Sequence, residues 1–138
     1  MITAADRQMK HSRGAGNAKL VVVIDDDPLV LEATGGLLRS WGCQVVAAES
    51  YRSALIRLSE IRQRPDLIVC DYRLSEGATG VDAIEGLRSV FEIPALLISG
   101  DAAAPPAEAE AGGYNLLHKP LDAGRFRAAL IDASVLQP

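Results

Sequence analysis

Leu20-Val-Val-Val-Ile24-Asp25-Asp26-Asp27-Pro28 is the stretch on which the fold turns. Five consecutive apolar residues, mostly β-branched and without polar alternation, suit a strand buried on both faces of a parallel sheet. The change to three carboxylates marks the strand's end, and Pro28 fits the first turn of a helix. The same pattern recurs along the chain. The strand Leu67–Cys70 ends at Asp71, Pro94–Ile98 at Ser99, and Asn115–His118 at Lys119. A further run, Gln44–Ala48, contributes none of these residues.

Helix-like stretches fill the intervals. After Pro28, the residues Val30, Ala33/Thr34, Leu37, Leu38 and Trp41 are expected on the inward face, with Gly42 ending the helix. Gly35 and Gly36 lie inside it at a cost of about 1 kcal/mol each, which points to close packing or local mobility. Ser50 is placed to cap a second helix with Ala54, Leu55, Leu58 and Ile61 inward, and Pro65 stops it. After a loop at Ser75–Ala78, Thr79-Gly-Val-Asp82 resembles a capping box, and Val81, Ile84, Leu87/Arg88 and Phe91 continue at helical spacing. Pro105-Pro106 and Gly112-Gly113 confine a fourth helix to Ala107–Ala111. A final helix is expected over Asp122–Ser134, with Phe126, Ala129, Leu130 and Ala133 on one face. Strand alternating with helix five times over predicts an α/β, doubly wound parallel sheet.

The bulk properties exclude several function classes. A chain of 138 residues is one domain's worth, and residues 1–17 read as a loose tail or linker before a domain at 18–138. The net charge of −4 offers no basic footprint for nucleic acid or anionic lipid. No apolar run reaches the roughly 18 residues of a membrane span, and the N-terminal segment lacks a signal peptide's apolar core. Cys43 and Cys70 each sit in an apolar run without a C-x-x-C or a Cys/His cluster, and are expected as buried free thiols. A cytoplasmic location follows as the expectation.

Ligands of an open parallel sheet bind beyond the carboxyl ends of its strands. Asp25, Asp26, Asp71, Ser99 and Lys119 all fall at such ends, far apart in sequence, so only the fold could gather them. Three carboxylates together repel unless a cation holds them, and a hard divalent ion such as Mg²⁺ suits oxygen donors. With the ion and Lys119 offsetting charge, a phosphoryl group could approach a carboxylate nucleophile. Ser99 could donate to a phosphoryl oxygen, and Gly100 leaves room beside it. His118 neighbours Lys119 but should point the other way along the strand. His11 lacks the flanking pattern of a phosphodonor helix, so neither histidine makes the chain a kinase.

VVVIDDDP, LIVCDYRL, LLISGD and LLHKPL resemble, in order and at similar spacing, the four signature segments of CheY-like receiver domains, the phosphoacceptor modules of two-component signalling. The resemblance runs from about Leu20 to Ala133. It implies a flavodoxin-like five-stranded sheet of order 2-1-3-4-5 flanked by five helices, with Asp71 as phosphoacceptor. It further implies Mg²⁺ held by Asp26, Asp71 and the backbone carbonyl of Arg73, with Asp25 acting directly or through water. Ser99 and Lys119 would contact the phosphoryl group, and Pro120 would follow in a cis bond. The implied partners are a sensor histidine kinase or a histidine phosphotransfer domain, with no nucleic acid and no membrane; a homodimer stays open. Such a domain is not an enzyme on other molecules and catalyses only its own phosphoryl transfer and dephosphorylation.

The chain departs from the family where an aromatic residue often sits three positions before the lysine. Here that residue is Leu116, and Tyr114 stands two residues earlier on the same strand face. LLHKPL and the curtailed fourth helix look more like receivers of hybrid sensor kinases than those joined to DNA-binding domains. Two other readings compete. A phosphohydrolase of the haloacid dehalogenase type would use Asp25 as nucleophile, but lacks the acidic pair expected after Lys119 and a cap-sized insertion. A pseudo-receiver would share the fold and only bind protein.

Overall fold

The strands appear where the apolar runs lie. In the computed structural model, which describes residues 18–74, 78–100 and 114–138, they are β1 (Leu20–Ile24), β2 (Gln44–Ala48), β3 (Leu67–Asp71), β4 (Ala95–Ser99) and β5 (Asn115–His118). All pair in parallel, in the order β2-β1-β3-β4-β5. Strand β3 runs one residue further than its apolar run, to Asp71, and β4 begins at Ala95 because Pro94 has no N–H to give the ladder. Pro94 still contributes its carbonyl, which accepts from Ile68 N–H at 3.1 Å.

Four helices are present among the described residues: α1 (Pro28–Ser40), α2 (Tyr51–Ile61), α3 (Gly80–Arg88) and α4 (Ala123–Asp132). The fifth helix, expected at Ala107–Ala111, lies outside the described residues, as do the N-terminal tail and Ser75–Gly77. Each helix opens on a side-chain cap: Asp27 on Leu29 N–H, Ser50 on Ser53 N–H, Thr79 on Asp82 N–H and Asp122 on Gly124 N–H. Such a cap stabilises by about 1 kcal/mol. Gly42, at φ +91°, takes the chain out of α1, while Arg62 in a left-handed conformation ends α2.

Strand alternation divides the core in two. Leu20, Val22 and Ile24 face a layer holding Ala54 and Leu58 of α2 with Ala83, Ile84 and Leu87 of α3. Val21 and Val23 face the opposite layer, with Leu31 and Leu38 of α1 and Phe126 and Leu130 of α4. Each fully buried large side chain contributes about 1.5–3 kcal/mol relative to exposure. The ring of Trp41 stacks at a tilt on Phe126, with centroids 5.7 Å apart, and joins the foot of α1 to α4. At the amino end of β1, Asp66 accepts the N–H of Leu20 at 2.8 Å and gives its own to the Leu20 carbonyl.

Two helical faces differ from expectation. The buried face of α1 is Leu31, Thr34, Gly35 and Leu38, so Val30, Ala33 and Leu37 turn to its flank. Gly35 lies on the buried face, where a Cβ would be in ordinary contact with Val45 of β2 at 3.6 Å. Ile61, at the last turn of α2, is 46% exposed. Both cysteines are buried and free, and burial pushes their thiols up. Among the described residues, no helix is long and apolar enough to cross a membrane.

Candidate functional site

The acidic residues come together at the carboxyl end of the sheet because β1 lies beside β3 in register, Ile24 opposite Cys70. One step further along each strand are Asp25 and Asp71, buried at 4% and 7% exposure, with Asp26 exposed beside them. Each of these three carboxylates offers an oxygen within 4.8 Å of the others. Such an all-oxygen group fits a hard divalent cation with water filling its remaining positions.

Backbone hydrogen bonds hold the carboxylates in place. Asp25 N–H donates to the Ala48 carbonyl at 3.1 Å, and Asp25 Oδ1 accepts from Asp27 N–H at 2.9 Å. Asp27 itself caps α1 and is surface-exposed. Beyond Asp71, Tyr72 N–H donates to the Ile98 carbonyl at 2.7 Å, and Gly80 N–H to the Tyr72 carbonyl at 2.6 Å. Arg73 pairs with Thr79 in an isolated bridge, and its guanidinium lies 5.9 Å from the Tyr72 ring centroid.

Lysine enters from β5. Ser99 accepts Lys119 N–H through its carbonyl at 2.8 Å, which aligns the ends of β4 and β5. The ammonium lies 2.8 Å from Asp71 Oδ1 and 3.6 Å from Asp25 Oδ2. The Lys119–Pro120 bond is cis. Ser99 is fully buried at the end of β4, and a Cβ on Gly100 would lie 3.4 Å from the Lys119 stem.

The charges are unevenly offset. Burial raises the Asp25 carboxyl above its ordinary value and the Asp71 charge adds to the rise; the Asp27 N–H and Lys119 oppose it without cancelling it. Burial alone would lower the Lys119 ammonium, but the Asp71 hydrogen bond and the charges of Asp71 and Asp25 raise it. Lys119 therefore stays protonated across the neutral range, and its ammonium faces both Asp71 and Asp25.

Asp25, Asp26, Asp71 and Lys119 are thus assembled, and Ser99 and Gly100 border them. His118 is exposed, as its strand position requires. Sequence reading missed Gly80. A Cβ at that position would fall 2.3 Å from the Asp71 carbonyl oxygen and 2.8 Å from Leu97 Cδ1. The first turn of α3 is therefore seated on the backbone of Asp71, a closeness only glycine allows. A glycine following a helix-cap threonine was the one available signal. Tyr114 is buried, donates its hydroxyl to Glu85 and lies under the Arg88 guanidinium, 5.5 Å from ring centroid to Cζ.

Residues 21–131 match the model of the response regulator receiver domain. The transcriptional regulatory protein ZraR of Escherichia coli is 35% identical over 113 residues, 80% of this chain and 25% of its own length. The transcriptional regulatory protein KdpE of Mycobacterium tuberculosis is 32% identical over 113 residues, 80% of this chain and 49% of its own. The chain thus spans a quarter to a half of these relatives. A response regulator receiver domain protein from Clostridium thermocellum shares the fold at a TM-score of 0.74 and 22% identity, over 83% of this chain and 93% of that one. The match over residues 21–131, the strand order 2-1-3-4-5 and the acidic group with its lysine lead to one conclusion: the chain belongs to the response regulator receiver domain family.

Proposed function

We propose that this receiver accepts a phosphoryl group from a phosphohistidine onto Asp71. The observation that carries the reading is Asp71 itself: a buried strand-end carboxylate, 2.8 Å from Lys119 and grouped with two further carboxylates. Asp26 and Asp71 would hold Mg²⁺ with the backbone carbonyl of Arg73, and Asp25 would act directly or through water. Bound there, Mg²⁺ supplies positive charge that offsets the incoming phosphoryl oxygens. A carboxylate oxygen of Asp71 attacks phosphorus as the phosphorus–nitrogen bond of the donor breaks. Lys119 stays protonated and follows the charge from the carboxylate to the phosphoryl group. Ser99 donates to a phosphoryl oxygen, and Gly100 keeps the approach open.

The group then leaves by hydrolysis or passes to another histidine, so the domain acts on itself rather than on a separate substrate. Movement at Ser99 would shift the Ser99–Tyr114 side as a two-state element and change protein contacts there. A cytoplasmic sensor kinase or histidine phosphotransfer domain is the fitting donor, and LLHKPL favours a hybrid sensor kinase as the setting.

Intact mass after incubation with acetyl phosphate and Mg²⁺ tests the reading. One phosphoryl adduct is expected, absent from Asp71→Asn. An adduct of equal yield on that variant, or one that depends on Asp25 instead, refutes it and favours the phosphohydrolase chemistry. The absence of any adduct favours a domain that only binds protein.

A further inference from the structure

Helix α3 is fastened by polar contacts at both ends and by apolar ones in between. At its start, Gly80 N–H donates to the Tyr72 carbonyl at 2.6 Å, and the first turn sits against the Asp71 backbone. The cap residue, Thr79, bridges Arg73, whose carbonyl belongs to the proposed metal set. The helix then runs 9 residues, about 13 Å, toward the opposite end of the sheet. There Glu85 accepts the Tyr114 hydroxyl, and the Arg88 guanidinium lies 5.5 Å from the Tyr114 ring centroid.

Between those ends the contacts have little direction. Ile84 and Leu87 are fully buried against the sheet, and Gly86 presents only backbone to the Tyr51 ring. Apolar burial of this kind resists lifting the helix but tolerates a small slide along its axis. The bonds at the two ends oppose that slide. Tyr114 immediately precedes β5, the strand that leads to Lys119, so its hydroxyl ties α3 to the same strand that delivers the ammonium.

We propose that Tyr114 is a positioning residue for the metal site, acting through α3 from the opposite end of the sheet. Its hydroxyl fixes how far α3 reaches toward Asp71. The Arg73–Thr79 bridge then carries that position to the Arg73 carbonyl, beside Asp26 and Asp71. Phenylalanine would fill the same place in the core, and only the hydroxyl supplies the hold on Glu85. The inference rests on the reading of Asp26, Asp71 and the Arg73 carbonyl as the Mg²⁺ ligands.

The test is Mg²⁺ affinity by amide NMR titration, which needs no phosphoryl transfer. Tyr114→Phe and Glu85→Ala should each bind about fivefold more weakly, the low end of coupling between separated sites, and the double variant no more weakly than either. Glu85→Gln, which keeps an acceptor but loses the charge, should bind like wild type. Val135→Ala, a cavity in the opposite core layer, should lower stability and leave affinity unchanged. In Gly80→Ala, where the first turn is already displaced, Tyr114→Phe should add nothing, although distant substitutions ordinarily add. If Gly80→Ala does not fold, Thr79→Ala, which uncaps the same turn, replaces it. Wild-type affinity in Tyr114→Phe, equal losses in Glu85→Gln and Glu85→Ala, a loss shared by Val135→Ala, or additivity with the first-turn variant each overturns the proposal. Failure of the metal reading looks different, and takes the proposal with it: the wild type would then show no Mg²⁺ binding that Asp26→Asn weakens.

Discussion

Replacing Gly80 with alanine should damage the domain out of proportion to one methyl group. The new Cβ would stand 2.3 Å from the Asp71 carbonyl oxygen and 3.0 Å from its carbon, where ordinary contacts begin near 3.4 Å. Backbone atoms cannot rotate away as a side chain could. The start of α3 and the end of β3 must therefore part by about 1 Å, stretching the Gly80-to-Tyr72 hydrogen bond. Overpacking of this kind costs about 1–3 kcal/mol, and alanine's better helix propensity returns less than about 1 kcal/mol. The net expectation is a loss of about 2 kcal/mol. Gly36 is the matched control, because no atom lies within 4 Å of its Cβ position; Gly36→Ala should stabilise by about 1 kcal/mol. Urea unfolding followed by circular dichroism measures both as midpoint shifts at a common slope. Phosphoryl uptake by folded Gly80→Ala should fall about tenfold or more, since displacements near 1 Å at a reacting group are costly. A midpoint for Gly80→Ala within about 0.5 kcal/mol of wild type would refute the steric reasoning.

Three further outcomes follow from the electrostatics. Burial, then the Glu85 hydrogen bond and charge, push the Tyr114 hydroxyl up to about 12, so one of the three tyrosines should ionise late in an ultraviolet titration. The stability it confers is complete below the ordinary value of 10 and is lost as pH rises toward 12; Tyr114→Phe should remove both the late step and that loss. The Asp25 carboxyl is raised above 3.8, so its ionised form weakens the fold at neutral pH and the penalty lifts as pH falls through the raised value. Asp25→Asn, which keeps an acceptor for Asp27 N–H, should melt higher than wild type at neutral pH and converge with it in acid. Mg²⁺ at a hundred times its dissociation constant should stabilise by about 2.7 kcal/mol, reversed by chelation and blunted in Asp26→Asn.

The fold was legible because the information is local: each strand is an apolar run, and each run ends at a residue too polar to continue it. Asp25, Asp26, Asp71 and Lys119 could be grouped in advance because parallel strands must end on the same side. Helical faces were harder. The pattern Val30, Ala33, Leu37 is as periodic as Leu31, Thr34, Leu38, and which one faces the sheet is set by tertiary packing that periodicity does not carry. Gly80 was hidden for a similar reason, since its role depends on a carbonyl nine residues earlier. Tyr114 was seen as displaced, but its attachment to Glu85 and Arg88 depends on the tertiary placement of α3 against β5.

The pairing of Trp41 with Phe126 gives the molecule an optical address far from its chemistry. Helix α1 has 13 residues, about 20 Å, between the acidic cluster and the indole. Emission from the chain's one tryptophan therefore reports how the foot of α1 rests on α4, not what happens at Asp71. A donor that adds phosphoryl mass without altering emission has rearranged only the upper end of the sheet. A donor that alters both has sent its signal down the length of α1, and comparing the two readings locates where the response stops.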